Sequence, residues 1–228
     1  MKHFSRQQVA TAIAILFHSI GLIGILFFNS SLIIAATPLN LLLSFGLIVY
    51  TQENKHLPFW IFFIACFVVG IGVEIVGTAT GWLFGEYQYG SVLGPGINEV
   101  PFIIGVNWFI IIYCCGTCIH MLLSEATKKL SEQTGKSVKA IKALSVVIDG
   151  ATLAVFFDWI MEPVAVKLGY WEWLGDGEIP FYNYVCWFLV SIFLLFIFHN
   201  LPFEKQNKFA VNLLLIQAMF FLLLRTFL

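Results

Sequence analysis

Charge is what this sequence has least of. Only 11% of its 228 residues are Asp, Glu, Lys or Arg, against roughly a quarter in soluble domains. The 12 basic and 13 acidic residues leave a formal net charge of −1, so no basic surface is available for nucleic acid. Histidine is scarce too. His3, His18, His56, His120 and His199 stand alone, none with a second imidazole three or four residues away. Oxygen-activating di-iron centres of membrane hydroxylases need clustered imidazoles, which argues against that chemistry. The five cysteines (Cys66, Cys114, Cys115, Cys118, Cys186) are odd in number and lie in apolar segments, so they give no disulfide framework. Cys114-Cys115-x-x-Cys118 lacks a second ligand pair and reads as small packing residues, not a metal site. The last apolar segment has no lysine for a retinal Schiff base beyond Lys208 at its mouth. Phosphate-binding loops, nucleophile elbows, dinucleotide-binding glycine motifs and D-x-x-x-D diphosphate motifs are missing as well.

What fills the chain instead is apolar. Hydrophobic residues make up 60% of it, and Phe alone occurs 24 times. Runs of about 20 apolar residues follow one another almost without pause, the mark of an all-α, polytopic integral membrane protein. Seven transmembrane helices are expected, over residues 7–28, 31–51, 58–80, 100–123, 144–163, 182–201 and 209–227, within one domain covering 1–228. Lys2 and Arg6 precede the first run as in a signal peptide. That run is too long for an h-region and ends at no small-residue cleavage site, so it is read as a retained span. A cytoplasmic N-terminus puts ten of the Lys and Arg residues in cytoplasmic segments and leaves only Lys167 and Arg225 outside. Residues 124–143, polar and Lys-rich, form a solvated cytoplasmic connector that touches anionic lipid.

Two stretches repeat a pattern. Spans 3–4 carry Glu74, the loop FGEYQYGSVLGPGINEVPF, then Trp108; spans 5–6 carry Asp158 and Glu162, the loop LGYWEWLGDGEIPF, then Trp187. Each loop has aromatic-x-aromatic after a glycine and ends Glu-aliphatic-Pro-Phe, with a Trp seven positions after the proline. A tandem helix–loop–helix repeat about an axis along the membrane normal follows.

The acids at membrane depth raise the functional question. Glu74 lies about six residues from the outer end of its span, roughly 9 Å. Asp158 and Glu162 are i and i+4, neighbours on one helix face. Asn107 and Trp108, with Asn183 and Trp187, enter from the same side at similar depth. Asp149, nine residues before Asp158, points about half a turn away and stands apart. Glu162 precedes Pro163 and fits an interfacial acid equally well. Glu74 and Asp158 do not, because apolar residues flank them and no Lys or Arg sits at their depth. A carboxylate there costs several kcal/mol, so these groups are expected to be protonated or to share protons. A neutral carboxylic acid in a dry site is a proton donor.

The blocks Glu74, Gly77, Gly81, Phe84, Gly85, Tyr87, Tyr89 and Asp158, Glu162, Pro163, Gly169, Trp171, Trp173, Pro180, Asn183, Trp187 resemble the carotenoid-biosynthesis membrane family of hydratases. The resemblance covers residues 74 to 187, about half the chain, and departs at Gly175-Asp176-Gly177-Glu178, whose added acids are unmatched. It implies a carotenoid hydratase in the cytoplasmic (inner) membrane of a prokaryote, acting on γ-carotene-, lycopene- or bisanhydrobacterioruberin-type ends. Its partners would be a lipophilic carotenoid, water, membrane lipid and other enzymes of the pathway.

The expected reaction adds water across a terminal isoprenoid double bond and needs no cofactor and no metal. An acid protonates the less substituted alkene carbon, a tertiary cation forms beside it, and water attacks. Asp158 is the expected donor, Glu162 shares its proton, and Glu74 orients the water with Asn107 or Asn183. The roles of Glu74 and Asp158 are exchangeable. Trp108, Trp187, Tyr87, Tyr89, Trp159 and Tyr113 are the rings available to stabilise the cation, at about 0.5–2 kcal/mol each. Trp159 and Tyr113 fit lipid-facing positions equally well. A lycopene-cyclase-like isomerase, a proton-coupled transporter and a carotenoid-binding scaffold remain alternatives. The acids crowd one side of the membrane, which speaks against a transmembrane relay.

Overall fold

The computed structural model describes residues 4–134 and 139–228. Among the described residues, eight α-helices carry most of the chain: α1 (Arg6–Phe28), α2 (Ser31–Ala35), α3 (Thr37–Thr51), α4 (Leu57–Thr80), α5 (Phe102–Thr134), α6 (Lys139–Lys167), α7 (Phe181–Asn200) and α8 (Lys208–Phe227). Local chemistry sets their ends. Ser5 and Gln8 form a reciprocal capping box on α1, and Gly81 closes α4 in the left-handed conformation at φ 64°. Among the described residues, six helices are long and apolar enough to cross a membrane: α1, α4, α6, α7, α8 and the segment Phe102–Ser124 of α5.

The expected span 31–51 is not one helix. The chain turns at Ala36 between α2 and α3. Pro38 has no N–H to offer and its ring clashes with the carbonyl four residues back, that of Ile34. Thr37 Oγ1 donates to that carbonyl at 2.7 Å. The remaining α3, at 15 residues, is about 22 Å long and shorter than the hydrocarbon core. Of the connector at 124–143, the part up to Thr134 continues α5 as helix, Lys139 opens α6, and residues 135–138 lie outside the described residues.

Helix α5 is the central post, packed against α3, α4, α6, α7 and α8, with 78% of its membrane-length window buried. Around Phe109 the rings of Phe59, Phe62 and Phe63 meet it at centroid distances of 5.2–5.9 Å. Close to Phe59 a polar clasp closes one end of the bundle. Tyr113 Oη donates to Gln52 Oε1 at 2.5 Å, and Asn207 Nδ2 donates to both Tyr113 and Thr51.

Pro163 lies inside α6 and leaves the Trp159 carbonyl without its helical partner. Arg225 Nη1 from α8 donates to that carbonyl at 2.7 Å, and its guanidinium lies 4.1 Å from the Trp159 ring centre. The proline therefore costs α6 one bond, and α8 restores it.

The opposite end of the bundle is capped by two short ribbons. Strand β1 (Tyr87–Tyr89) pairs antiparallel with β4 (Trp171–Trp173), so Tyr87 faces Trp173, Gln88 faces Glu172, and Tyr89 faces Trp171. Strand β2 (Gly96–Ile97) pairs with β3 (Val100–Pro101). The β1–β4 ribbon ties the α4–α5 loop to the α6–α7 loop, and Gly90 N–H extends it by donating to the Tyr170 carbonyl at 2.9 Å.

A methyl group at Gly90 would lie 2.2 Å from the Gly169 carbonyl oxygen, whereas one at Gly46 would meet nothing within 4 Å. Gly90→Ala is therefore expected to cost about 2 kcal/mol by forcing the ribbon apart. Its thermal midpoint in detergent should fall below those of the parent and of Gly46→Ala. Equal midpoints would mean that the ribbon does not hold the cap.

Candidate functional site

Beneath the ribbon, three carboxyl groups are buried in the bundle. Glu74 of α4 is 6% exposed, and its two oxygens accept three hydrogen bonds. Tyr87 Oη and Tyr89 Oη donate to Oε2 at 2.5 and 2.7 Å, and Trp108 Nε1 donates to Oε1 at 3.0 Å. Burial, together with the adjacent Glu74, pushes both phenols well above the usual tyrosine range, so they remain O–H donors.

The sequence around Glu74 makes this cradle possible. A Cβ at Gly70, one turn before, would sit 2.6 Å from the Trp108 indole, and one at Gly77, one turn after, 2.7 Å from the Tyr87 hydroxyl. Both glycines open space for rings that reach Glu74. Gly77 is thus a seat for an aromatic donor, while Gly81 ends the helix.

Asp158 and Glu162 of α6 are 0% and 2% exposed. One amide serves both: Asn183 Nδ2 lies 3.0 Å from Asp158 Oδ2 and 3.4 Å from Glu162 Oε1. Trp171 Nε1 donates to Glu162 Oε2 at 2.8 Å. Asp158 Oδ1 is buried and has no partner, and the same holds for Trp173 Nε1. None of the hydrogen bonds to the three carboxyl groups comes from a cation.

All three acids line one cavity of about 30 Å³, together with Asn183 and the indoles of Trp108, Trp171, Trp173 and Trp187. That volume suits one or two waters, and the unpartnered donor and acceptor in its wall supply what a water needs. Trp108 and Trp187 stack face to face in the wall, with centroids 4.0 Å apart and planes 16° from parallel. Next to it lies an apolar chamber of about 500 Å³ between α1, α3, α6 and α8, within the range of small-molecule sites. Ile104, Asn107, Met161 and Trp171 line both spaces and form their common wall.

The structure thus brings together Glu74, Asp158, Glu162, Asn107, Asn183, Trp108, Trp187, Tyr87 and Tyr89. Two of the expected rings are elsewhere. Trp159 is 45% exposed on the outside of α6, one residue and so about 100° from Asp158, covered by Arg225. Tyr113 is fully buried, but in the polar clasp near the other end of α5. Tyr87, Tyr89 and Trp108 present polar edges to Glu74, an arrangement that the sequence alone does not predict. Asp149 is exposed and outside the site. Trp171, Trp173, Phe84 and Met161 are lining residues that the sequence reading had not placed in the site. A signal for Trp171 existed: it follows Asp158 by the 13 residues that separate Tyr87 from Glu74.

The family described as carotenoid biosynthesis protein matches residues 28–228. A bisanhydrobacterioruberin hydratase of Haloarcula japonica is 29% identical over 129 residues, which is 55% of this chain. The match spans 40% of that relative's length. No solved structure matches.

Because Tyr87 and Glu74 share one buried hydrogen bond, their removal should not be additive. Tyr87→Phe and Glu74→Gln are each expected to cost about 1–2 kcal/mol, a fall of roughly 2–8 °C at this size. The double variant should lose little more than the worse single one. Additive losses in a detergent melt would show that the two groups act independently.

Proposed function

This chain belongs to the carotenoid biosynthesis protein family, and from that premise we propose that it adds water to the terminal isoprenoid double bond of an acyclic carotenoid end. One observation carries the reading: a water-sized polar cavity, holding an acid oxygen with no partner, shares a wall with a chamber fit for an apolar chain end. The relative's printed name, a hydratase of bisanhydrobacterioruberin, points the same way.

In this mechanism Asp158 Oδ1 gives its proton to the less substituted alkene carbon. The π bond breaks, a C–H bond forms, and the positive charge rests on the tertiary carbon. The Trp187 ring, with its stacked partner Trp108, faces that carbon without a lone pair to quench it. Water held by Asn183 and Glu162 forms the C–O bond and loses a proton to Glu162. The amide that Asp158 and Glu162 share keeps them close enough to pass the proton back, so the pair ends as it began. Glu74 Oε2 already accepts two hydrogen bonds and has little room for a water. We therefore assign Glu74 to balancing the cation's charge instead of orienting the nucleophile. Every atom of the product comes from alkene and water, and the scheme draws on no cofactor.

We also read α2 and α3 together as one crossing, giving seven. Asn212 of α8 meets Thr11 of α1, and further along Phe220 packs on His18 and Gly21. The two helices therefore run in the same direction. With four crossings in α4–α7, a shared direction requires that α2–α3 cross as well. The Lys and Arg distribution supports a cytoplasmic N-terminus. The antiparallel β1–β4 register, with Gln88 opposite Glu172, and the Trp108–Trp187 stack support a two-fold repeat of α4–β1–α5 and α6–β4–α7.

Expression in a lycopene-accumulating bacterium is expected to yield a pigment heavier by one water, labelled by heavy-oxygen water and not by heavy dioxygen. Asp158→Asn should cut that yield by at least a hundredfold while the protein stays in the membrane. An unchanged pigment mass with a shifted spectrum would replace hydration by cyclisation. For the topology, a reporter that works only outside the cytoplasm should be active when fused after Leu228 and silent when placed between α5 and α6. The reverse pattern would overturn the orientation.

A further inference from the structure

Four aromatic side chains of the β1–β4 ribbon line the acid cavity: Tyr87, Tyr89, Trp171 and Trp173. Three of them give their polar hydrogen to a carboxyl group, Tyr87 and Tyr89 to Glu74 and Trp171 to Glu162. Trp173 does not. Its side chain is 7% exposed, and its Nε1 is buried with no hydrogen-bond partner. The N–H lies near the Glu162 carboxyl without bonding to it. The ring is well packed, with its centre 5.3 Å from that of Tyr87, and a Cβ at Gly85 would come within 3.3 Å of it. Packing therefore fixes the indole while its donor stays unused. An indole N–H can donate but never accept, and unpaired in a dry site it costs about 1–3 kcal/mol.

The cavity offers that donor a partner. Trp173 lines the same space of about 30 Å³ as Asp158, Glu162 and Asn183, room for one or two waters. A water there can accept from Trp173 Nε1 and give a hydrogen to Glu162, which leaves one lone pair for the tertiary cation. We propose that Trp173 is a catalytic residue that binds the reacting water through Nε1, and that this bond decides between water capture and proton loss. The inference rests on the hydration reading and adds to it the residue that sets the fate of the cation. With the water held, its oxygen forms the C–O bond and its proton passes to Glu162. With the water unheld, a C–H bond beside the cation breaks, a π bond re-forms, and the proton goes to Asp158 Oδ1. Trp173 neither gains nor loses a proton on either course.

The two courses separate in deuterated water. Asp158 then delivers a deuteron, so proton loss leaves deuterium in a polyene that has gained no oxygen. Membranes holding the full chain are supplied with lycopene, and mass spectrometry follows both the hydrated product and the deuterated, unhydrated polyene. Trp173→Phe keeps a ring against Tyr87 but removes the donor. It should lower hydration about tenfold, as loss of one hydrogen bond to the water allows, while deuterium exchange persists. The ratio of exchange to hydration therefore rises about tenfold as well. Trp173→Met removes the same donor with a different shape, so misfolding of one variant leaves the test intact. A merely loosened cap would lower both products alike and leave their ratio where it was. An unchanged ratio in the folded variants, beside a parent that hydrates, overturns the role of Trp173 and leaves the hydration reading standing. A parent that adds no water to the polyene sinks the hydration reading itself, and the water site with it.

Discussion

A carboxyl group inside an apolar bundle must find hydrogen-bond partners there, because water is not at hand to replace them. In this protein that requirement shapes the whole capped end of the fold. Glu74 cannot be satisfied by its own helix, so its donors come from β1 and from α5. To bring them within reach the loop after α4 must fold back over the bundle. The ribbon with β4 then fixes it there, and β4 carries Trp171, the donor to Glu162. Cap and site are therefore one construction. A loop that served only to connect helices would not need paired strands or glycines cut to the size of an indole and a phenol.

The two acid groups are supported unequally, and the inequality is informative. Glu74 is surrounded by donors on both oxygens. Asp158, the more deeply buried, shares a single amide with Glu162 and keeps one oxygen free toward the cavity. A natural bundle does not ordinarily leave a buried polar atom unpaired, since each costs about 1–3 kcal/mol. Where such atoms cluster on a cavity of water's size, an exchangeable occupant is the economical explanation. The chamber beside it is apolar apart from a few side chains, among them Asn40, whose Oδ1 is buried without a partner. The two spaces share Ile104, Asn107, Met161 and Trp171, so the chamber lies next to the cavity that the acids line.

Much of this was legible in the residues. Long apolar runs located the spanning helices, and acids without cations at matching depth pointed to residues that line one cavity, because both follow from the cost of placing polarity in hydrocarbon. The aromatic-x-aromatic loops suggested a repeat, but not that β1 and β4 pair with each other. The break at Ala36 was less visible. Hydropathy does not register the missing N–H of Pro38, and the run 31–51 reads as continuous on apolar content alone. The rings illustrate a different limit. Composition says that Tyr87, Tyr89 and Trp108 are present but not whether a π face or a polar edge meets the acid, and three donors on one carboxyl emerge only from tertiary packing. Trp159 and Tyr113 could have been set aside by geometry, one by its rotation from Asp158 and the other by its depth along α5.

Proline placement ties these observations to substrate access. Pro38 stands at the start of α3, where the chain turns, and residues of both α2 and α3 line the chamber beside α1 and α8. Pro163 stands in α6 just beyond Glu162, and Arg225 takes the carbonyl of Trp159 that the proline frees. One proline thus lies beside the chamber and the other beside the acid pair. The chamber is bordered by Phe17, Ile20 and Leu39, which are also exposed on the outer face of the bundle. A lipid-soluble substrate reaching the acids along that side would never have to leave the hydrocarbon, while the water it consumes needs only a cavity large enough for itself. On the hydration proposal, the division into one large apolar space and one small polar space matches the unequal sizes and polarities of the two reactants.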